Sequence, residues 1–503
     1  MSLLRLVALA AVAVACGGCA TVRPVTLRPS LPTPPAYVTE FHTELPGAEG
    51  AAAPQGTDDP PSADQARTEA VPAKAAPVAG DKLWWNAFAD PALDAAIQEA
   101  LRNNYFIRDI RNLIYENGLD PAMPKGALWP LQIGIPATVQ RTAIAVPPAP
   151  GQPAVGTTFN EADVGIAASY QIDLWGQLDV QRRTFEDLVE QQRQSTETFA
   201  QTLAEQVAQL WFQILEQRAL KDLLDRQVRY SQDLLEIVKA RFDQHLATRL
   251  VVLQQEQQLL GTQAQVPLVV AQLALLNSKL TALLGRLPSP DTDLVPRGRR
   301  LPDLPPAPAV GAPADLLQNS PELRMAQSRV AEAEHLVSQN LASWLPTINV
   351  FGGAGMQSFD FAQNFPTASV GVRLTWPIFD GGQRMTRAEQ LELTVQRRTW
   401  QYDLAFNTAV QRVQDSLVQE QKQADNLRTL RDQVALGRRV LQEARLLFEQ
   451  GTSDYLPVLT ALANLSNLER SSIQAQRLLL SYRVQLYHAL GGTWSKAATQ
   501  LPD

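Results

Sequence analysis

The sequence predicts an α+β protein in which short two-faced strands alternate with helices far longer than a compact domain uses. Three observations carry this reading: the chain is written twice, each copy holds a segment of period two, and each copy then runs for dozens of residues without proline.

The repeat is visible in constant register. Asn104-Tyr105-Phe106-Ile107-Arg108 aligns with Ser320-Pro321-Glu322-Leu323-Arg324, and Trp129-Pro130 with Leu345-Pro346, both at an offset of 216. Further on the offset is 206, where Val164-Gly165 matches Val370-Gly371 and Gly176-Gln177 matches Gly382-Gln383. Phe242-Asp243-Gln244 matches Phe448-Glu449-Gln450, and Leu284-Gly285 matches Leu490-Gly491. The Pro/Gly-rich stretch Ala143 to Thr158 accounts for the extra residues of the first copy. Residues 83–285 are read as the first repeat, 286–312 as a Pro-rich linker, 313–492 as the second repeat and 493–503 as a tail.

The strand signal is clearest in Val164, Ile166, Ala168, Tyr170, Ile172 and Leu174, which alternate with small or polar residues. Val370, Val372, Leu374, Trp376 and Ile378 do the same. Leu131 to Val139 and Ile348 to Met356 are the expected hairpin mates, giving four strands per chain. Strands of this length with one apolar and one wet face match a membrane barrel; a soluble sandwich is the alternative. In a barrel Val164, Ile166, Tyr170, Ile172, Val370, Val372, Leu374 and Trp376 face lipid. Ala167 and Gly371 face water and are expected to tolerate a larger polar residue.

After each strand comes a long helix, Gln177 to Ala240 and Gln383 to Leu446, of good helix formers. At 1.5 Å per residue each reaches about 96 Å. Turns follow at Gln244-His245 and Gln450-Gly451, then shorter helices Leu250 to Leu284 and Leu456 to Leu490. The helices opening the copies are Pro91 to about Glu116 and Pro313 to about Ser343. Four strands cannot close a barrel alone, and open edges are not tolerated in lipid, so three chains with twelve strands are expected. The result is a tube.

Composition bounds the function. Of 503 residues 45% are hydrophobic and 19% charged, within the globular range, and the net charge of -7 argues against a nucleic-acid partner. Cys16 and Cys19 are the only cysteines, and His42, His245, His335 and His488 lack metal-ligand spacing. No motif pairs a nucleophile with a base. The chain is expected to be no enzyme and to hold no cofactor or metal.

Residues 1–18 read as a lipoprotein signal: Arg5, an apolar run from Leu6 to Ala15, then Gly17-Gly18-Cys19. Cys19 is the expected lipid anchor. Cys16 is the poorer register because it cuts into the apolar run, and an ordinary cleaved signal is the alternative. Residues 19–82 form a tether, with eleven prolines between Thr21 and Gly80. Elsewhere no run of 18 apolar residues occurs, so no transmembrane helix is expected. Export without such helices leaves the periplasm, or the outer membrane through a barrel.

This organisation resembles the TolC-type outer-membrane efflux factors, specifically the lipidated NodT-like branch that serves RND drug pumps. The resemblance rests on Leu83-Trp84-Trp85-Asn86-Ala87-Phe88 with Asp90-Pro91 and Leu93, and on the corners Asp173-Leu174-Trp175-Gly176-Gln177 and Pro377-Ile378-Phe379-Asp380-Gly381-Gly382-Gln383. The turns Arg241 to Leu253 and Leu447 to Leu459 add to it. It implies a homotrimer anchored in outer-membrane lipid, with a twelve-stranded β-barrel and a periplasmic α-barrel. The lower turns would meet a periplasmic adaptor (a membrane fusion protein) and open to the inner-membrane RND pump. Tip residues His245, Leu246, Ala247 and Thr248, with Gly451, Thr452, Ser453 and Asp454, are the expected adaptor contacts. Phe242, Leu250, Leu253, Phe448, Leu456 and Leu459 have a plainer reading as hairpin packing.

Three departures stand out. Glu116 to Pro124 carries two prolines, so the first helix of copy one should end early. His245 occupies the place of Gly451. Where relatives carry aspartates on the second lower turn, this chain has Pro457 and Thr460. Asp454 is then either a substitute at the aperture or an N-cap. The expected function is a passive exit duct for small-molecule efflux. The rivals are the exit duct of a protein secretion system and a structural trimeric stalk or adhesin.

Overall fold

The computed structural model describes residues 83–116, 130–146, 155–288, 293–308 and 310–492. The signal, the tether, Cys19 and the tail lie outside them. A 3-10 turn at Trp84–Phe88 leads into α1 (Pro91–Asn103) and α2 (Tyr105–Glu116), and strands β1 (Leu131–Gly134), β2 (Ala137–Val146) and β3 (Val155–Ile172) follow. Helices α3 (Gln177–Asp243), α4 (Arg249–Gln263) and α5 (Gln265–Leu283) complete the first copy. The second copy holds α6 (Leu316–Asn319), α7 (Pro321–Ala342), β4 (Thr347–Phe359), β5 (Gln363–Thr375), α8 (Gln383–Glu449) and α9 (Leu456–Ala489). The long helices have equal length, 67 residues each. Each starts at a left-handed glycine, Gly176 (φ 71°) or Gly382 (φ 86°), 206 residues apart in sequence.

The chain forms two compact units, and the first comprises the sheet with its adjoining helical segments, residues 114–192 and 325–403. Its sheet is antiparallel throughout, in the order β1-β3-β4-β5, with β2 also on β3. Five strands stand where four were expected. β1 and β2 are successive pieces of one edge strand, sharing a continuous register on β3 from Leu131↔Tyr170 to Val146↔Val155. Pro136 interrupts them, because proline lacks the N–H a ladder needs and is tolerated at an edge. β3 also starts earlier than the alternation suggested, at Val155. The corners are pinned by indoles: Trp175 donates to the Pro346 carbonyl at 2.7 Å and Trp376 to that of Trp344 at 3.2 Å. Below them His335 meets Asp187 at 2.7 Å, and Gln191 donates to Glu332 at 2.9 Å.

The second unit comprises the described residues within 83–113, 193–324 and 404–492. Its main core collects Trp84, Trp85 and Phe88 with Leu93, Ile97, Trp211 and Phe212. Asp90 explains the Asp-Pro that follows the double tryptophan. One oxygen caps α1 through Ala92 N–H at 3.1 Å, and the other accepts from Trp211 Nε1 at 3.1 Å. The proline-rich linker is strapped down by long donors. Arg218 donates to Pro296 and Val295 carbonyls, and Arg483 to those of Pro305 and Pro306. Arg483 is 2% exposed and pairs both its forks with Glu420, at 2.6 and 2.7 Å, the arrangement a buried guanidinium requires.

Each copy's last helix closes the same way. Gly285 (φ 74°) and Gly491 (φ 89°) take the left-handed position, and their Cα atoms abut the carbonyls of Asn103 and Asn319, where a Cβ would collide. Only glycine fits both demands. One expected helix is broken: Leu250 to Leu284 divides at Ala264, three residues before Pro267, whose ring cannot continue the hydrogen-bond ladder. Together the pieces, Arg249–Leu283, are long and apolar enough to cross a membrane by length and composition, contrary to the expectation that no such stretch exists. Averaging over its scattered glutamines, rather than seeking an unbroken run, reveals it.

Candidate functional site: a two-faced sheet and two helical turns

Strand register sorts the sheet into two chemically distinct faces. Tyr170 pairs with Val350 and that with Val372, while Ile172, Ile348 and Leu374 form a second row. Val164 and Ile166 of β3 and Val370 of β5 lie on the same side. Those of β3 and β5 are bare in the protomer, from 39% exposed at Ile172 to 86% at Val370, while Ile348 and Val350 of β4 are half-buried. Trp376 follows the end of β5 rather than lying in it.

The other face is small and polar. Gly165, Ala167 and Ser169 of β3 stand beside Gly353 and Gly355 of β4 and Ser369 and Gly371 of β5. A Cβ on Gly165 would come within 2.7 Å of the Ala354 carbonyl oxygen, and one on Gly355 within 2.5 Å of that of Val164. At these positions the neighbouring backbone comes so close that only glycine fits without a shift. Gly371 is not the tolerant position expected: a Cβ there would meet the Phe351 ring at 2.7 Å, and Arg373 lies over that ring at 5.1 Å.

The two turns are built alike. In the first, His245 N–H donates to Phe242 and Leu246 N–H to Arg241; in the second, Gly451 donates to Phe448 and Thr452 to Leu447. This double bond pattern needs a left-handed residue at its centre, and His245 (φ 61°) supplies it as Gly451 (φ 76°) does. His245, Leu246, Thr248, Gly451, Thr452 and Asp454 are exposed, and Ala247 and Ser453 half-buried. Of the six residues with a packing reading, Phe448 is buried and Leu459 partly so, whereas Phe242, Leu250, Leu253 and Leu456 are exposed. Asp454 is not an N-cap: α9 is entered from Tyr455 in helical conformation, without a side-chain cap.

Sequence reasoning missed the polar link between the turns. Arg241 donates to the carbonyls of Phe448 (2.6 Å) and Glu449 (3.0 Å) and lies over the Phe448 ring at 4.6 Å, so the first hairpin caps the end of the second copy's long helix. Its signal is faint: a basic residue in the last turn of α3, which more often serves its own helix.

Several half-buried carboxyls are shifted by their surroundings. Burial pushes Asp187 upward, with Glu332 and Glu186 adding to it and His335 opposing. Glu334 and Glu216 are also raised, chiefly by burial, with His335 and Arg477 respectively opposing. Among the described residues no group of three or more His, Cys, Asp or Glu side chains is placed to hold a metal ion.

A sheet with one apolar and one small, polar face, whose strands run into 67-residue helices, is the architecture of the class of outer-membrane channel subunits. The chain matches the outer membrane efflux protein family over residues 151–286 and 312–492, one stretch in each copy, and belongs to that family. It is 28% identical to the pyoverdine export outer membrane protein OpmQ of Pseudomonas putida, over 90% of this chain and 94% of that protein. It is 25% identical to the toluene efflux pump outer membrane protein TtgF of Pseudomonas putida, over 83% and 86%. Among solved structures the outer-membrane channel OprN superposes with a TM-score of 0.73 at 21% identity, over 82% of this chain and 93% of that one. VceC of Vibrio cholerae gives 0.69 at 18% identity, over 81% and 98%. The fold is that of the TolC-like channels, and the protein is an outer-membrane exit duct for efflux.

Proposed function

We propose that three copies of this chain close a twelve-stranded barrel in the outer membrane and pass small organic molecules outward, as the third part of an RND-type tripartite pump. The observation that carries this is the two-faced sheet with unpaired edges at β1/β2 and β5. An open edge is intolerable in lipid, and copies of the same chain pair it at no cost in new sequence. Val164, Ile166, Tyr170, Ile172, Val370, Val372, Leu374 and Trp376 then meet lipid, and the small, polar face lines the lumen. A second support is the bare apolar side of α4 and α5, where Leu253, Leu260, Leu268 and Leu275 are exposed at spacings of seven or eight residues. A neighbouring copy covers such a stripe in the periplasm, where lipid is absent. The names of relatives, for pyoverdine export and toluene efflux, support a cargo of small organic compounds.

In this reading residues 1–18 are removed, Cys19 carries lipid, residues 19–82 tether the chain, and 83–285 and 313–492 are the two repeats joined by 286–312. The duct performs no chemistry. A periplasmic adaptor docks on the turns, His245 to Thr248 and Gly451 to Asp454, with Asp454 available to the aperture. Replacing Leu246 and Ser453 together by glutamate tests this while sparing Gly451. Drug resistance should fall to the level of a deletion strain, with trimers at normal abundance in the outer membrane. Unchanged resistance refutes docking at these turns, and absence of trimers refutes the barrel.

A further inference from the structure

The strands carry few charges, and register sorts them. In β1 to β5 the charged residues are Arg141, Glu161, Asp163 and Arg373. Arg141 pairs with Asn160, four residues from Val164, and so lies on the apolar face. Glu161 and Asp163 share the small, polar face with Gly165, and Arg373 shares it with Ser369 and Gly371. Among the described strand residues, Arg373 is therefore the one basic side chain on that face.

Arg373 pairs with Asn349, and Asn349 with Gln171, a polar row at the end of the sheet that runs into the long helices. The wall beside it is built in two steps. Phe351 pairs with Gly371, and its ring lies so close that a Cβ on that glycine would meet it at 2.7 Å. The Arg373 guanidinium lies over the same ring at 5.1 Å, within cation–π range. The missing Cβ lets the ring lie on the sheet, and the ring in turn holds the guanidinium. Arg373 is exposed, and among the described residues no carboxylate or carbonyl accepts from it. Its fork of N–H groups is left for a solute.

Two sets of acids bear on this level, and neither pairs with it. Asp173, two residues beyond Gln171, accepts from the N–H groups of Leu178 and Asp179 at 3.1 and 3.2 Å, so its charge serves the first turn of α3. Asp163 lies eight residues from Gln171 along β3, roughly 27 Å at 3.4 Å per residue, and Glu161 lies farther. The Debye length is about 8 Å at physiological ionic strength, so the basic and acidic ends of this face act as separate charges.

We propose that Arg373 of three copies forms a basic ring at the helix end of the barrel, a transient subsite for the carboxylate of anionic organic cargo. The inference rests on the trimeric barrel proposed above. Rings of arginine or lysine favour anions in a pore, and low-dielectric walls focus their field on the solute between them. A guanidinium receives a carboxylate through two parallel N–H···O bonds, and a fork already stacked on an aromatic ring loses little freedom on binding. Exposed to water, the contact is weak enough to release what it binds, as conduction requires.

The test reads the local charge in the full chain. The sequence has no cysteine after Cys19, so Gln171→Cys places one new thiol per copy in the row of Arg373, two strand spacings or about 10 Å away. On intact cells, its rate of modification by an anionic methanethiosulfonate is compared with that by a cationic one of similar size. Adding Arg373→Gln should lower the anionic-to-cationic rate ratio about fourfold near 0.01 M salt, where the Debye length is about 30 Å, and hardly at all near 1 M. Arg373→Lys in the same background should keep the ratio of Q171C alone. R373Q by itself should lower export of an aromatic carboxylate about threefold more than export of the corresponding amide. A rate ratio that R373Q leaves unchanged at low salt, or carboxylate export no more sensitive to it than amide export, overturns the anionic subsite while leaving the barrel intact. A Q171C thiol that neither reagent reaches in assembled trimers, or absence of trimers, overturns the barrel reading instead, and the subsite with it.

Discussion

Tyr455 donates its hydroxyl hydrogen to Gln255 Oε1 at 2.6 Å, across 200 residues of sequence and between the two copies. Gln255 is wholly buried and donates in turn to the Ser231 carbonyl at 2.8 Å. Burial, with the neighbouring Tyr230, drives the Tyr455 hydroxyl far upward, so it stays protonated and a donor at any working pH. The ring packs against Phe448 at 4.9 Å, so one side chain fills the hairpin core and ties the two hairpins together.

Tyr455→Phe keeps that packing and removes the hydroxyl, leaving Gln255 Oε1 buried without its donor. The expected loss is about 1–3 kcal/mol. It should appear as a lower melting temperature of the detergent-solubilised protein and faster proteolysis at the turns. A phenylalanine variant as stable as the parent would show that the bond is dispensable.

The left-handed His245 is strained where Gly451 is not. His245→Gly should stabilise the protein by roughly 0.5–1 kcal/mol, the relief of strain exceeding the added freedom of the unfolded chain. Gly451→Ala should destabilise it by about 1 kcal/mol. Thermal melts of both variants check the pair, and shifts of the same sign would contradict the turn geometry.

Asp187 offers a pH signature. Its folded value is raised, so the folded state holds the proton more tightly than the unfolded chain. Its contribution to stability is therefore greatest at low pH. That contribution is lost as pH rises from the ordinary carboxylate value, about 4, through the raised one. Glu334 and Glu216 act in the same sense. Asp187→Asn should flatten the fall in melting temperature over that window, and an unaltered slope would exclude Asp187 as a contributor.

The two faces of the sheet should differ in their tolerance of charge. Arginine at Ile166 or Leu374 is expected to cost roughly 2–4 kcal/mol if the site lies near the bilayer midplane. Arginine at Ser369, on the small, polar face, should cost far less. Gly371 is no fair control, since any Cβ there strikes Phe351. Assembly yield in vesicles measures the difference, and equal yields would refute the assignment of the apolar face to lipid.

The sequence by itself determined what is local or repeated. Period-two alternation around Val164 and Val370, proline-free helices and the 206-residue register of Gly176/Gly382, Gly285/Gly491 and His245/Gly451 need only neighbours in the chain to be read. The tertiary structure decided what depends on partners far apart. Pro136 divides an edge strand and Pro267 a helix, but only strand pairing and helix geometry show how. Asp454 is free of the capping role because Tyr455 enters the helix in its place. Gly371 looks like a small lumen residue until Phe351, 20 residues away in sequence, lies across it. Neither the reach of Arg241 to Phe448 nor that of Tyr455 to Gln255 follows the repeat, so no periodicity announces either. Such contacts arise because two nearly equivalent hairpins pack as unlike neighbours, and that asymmetry exists only once the chain is folded.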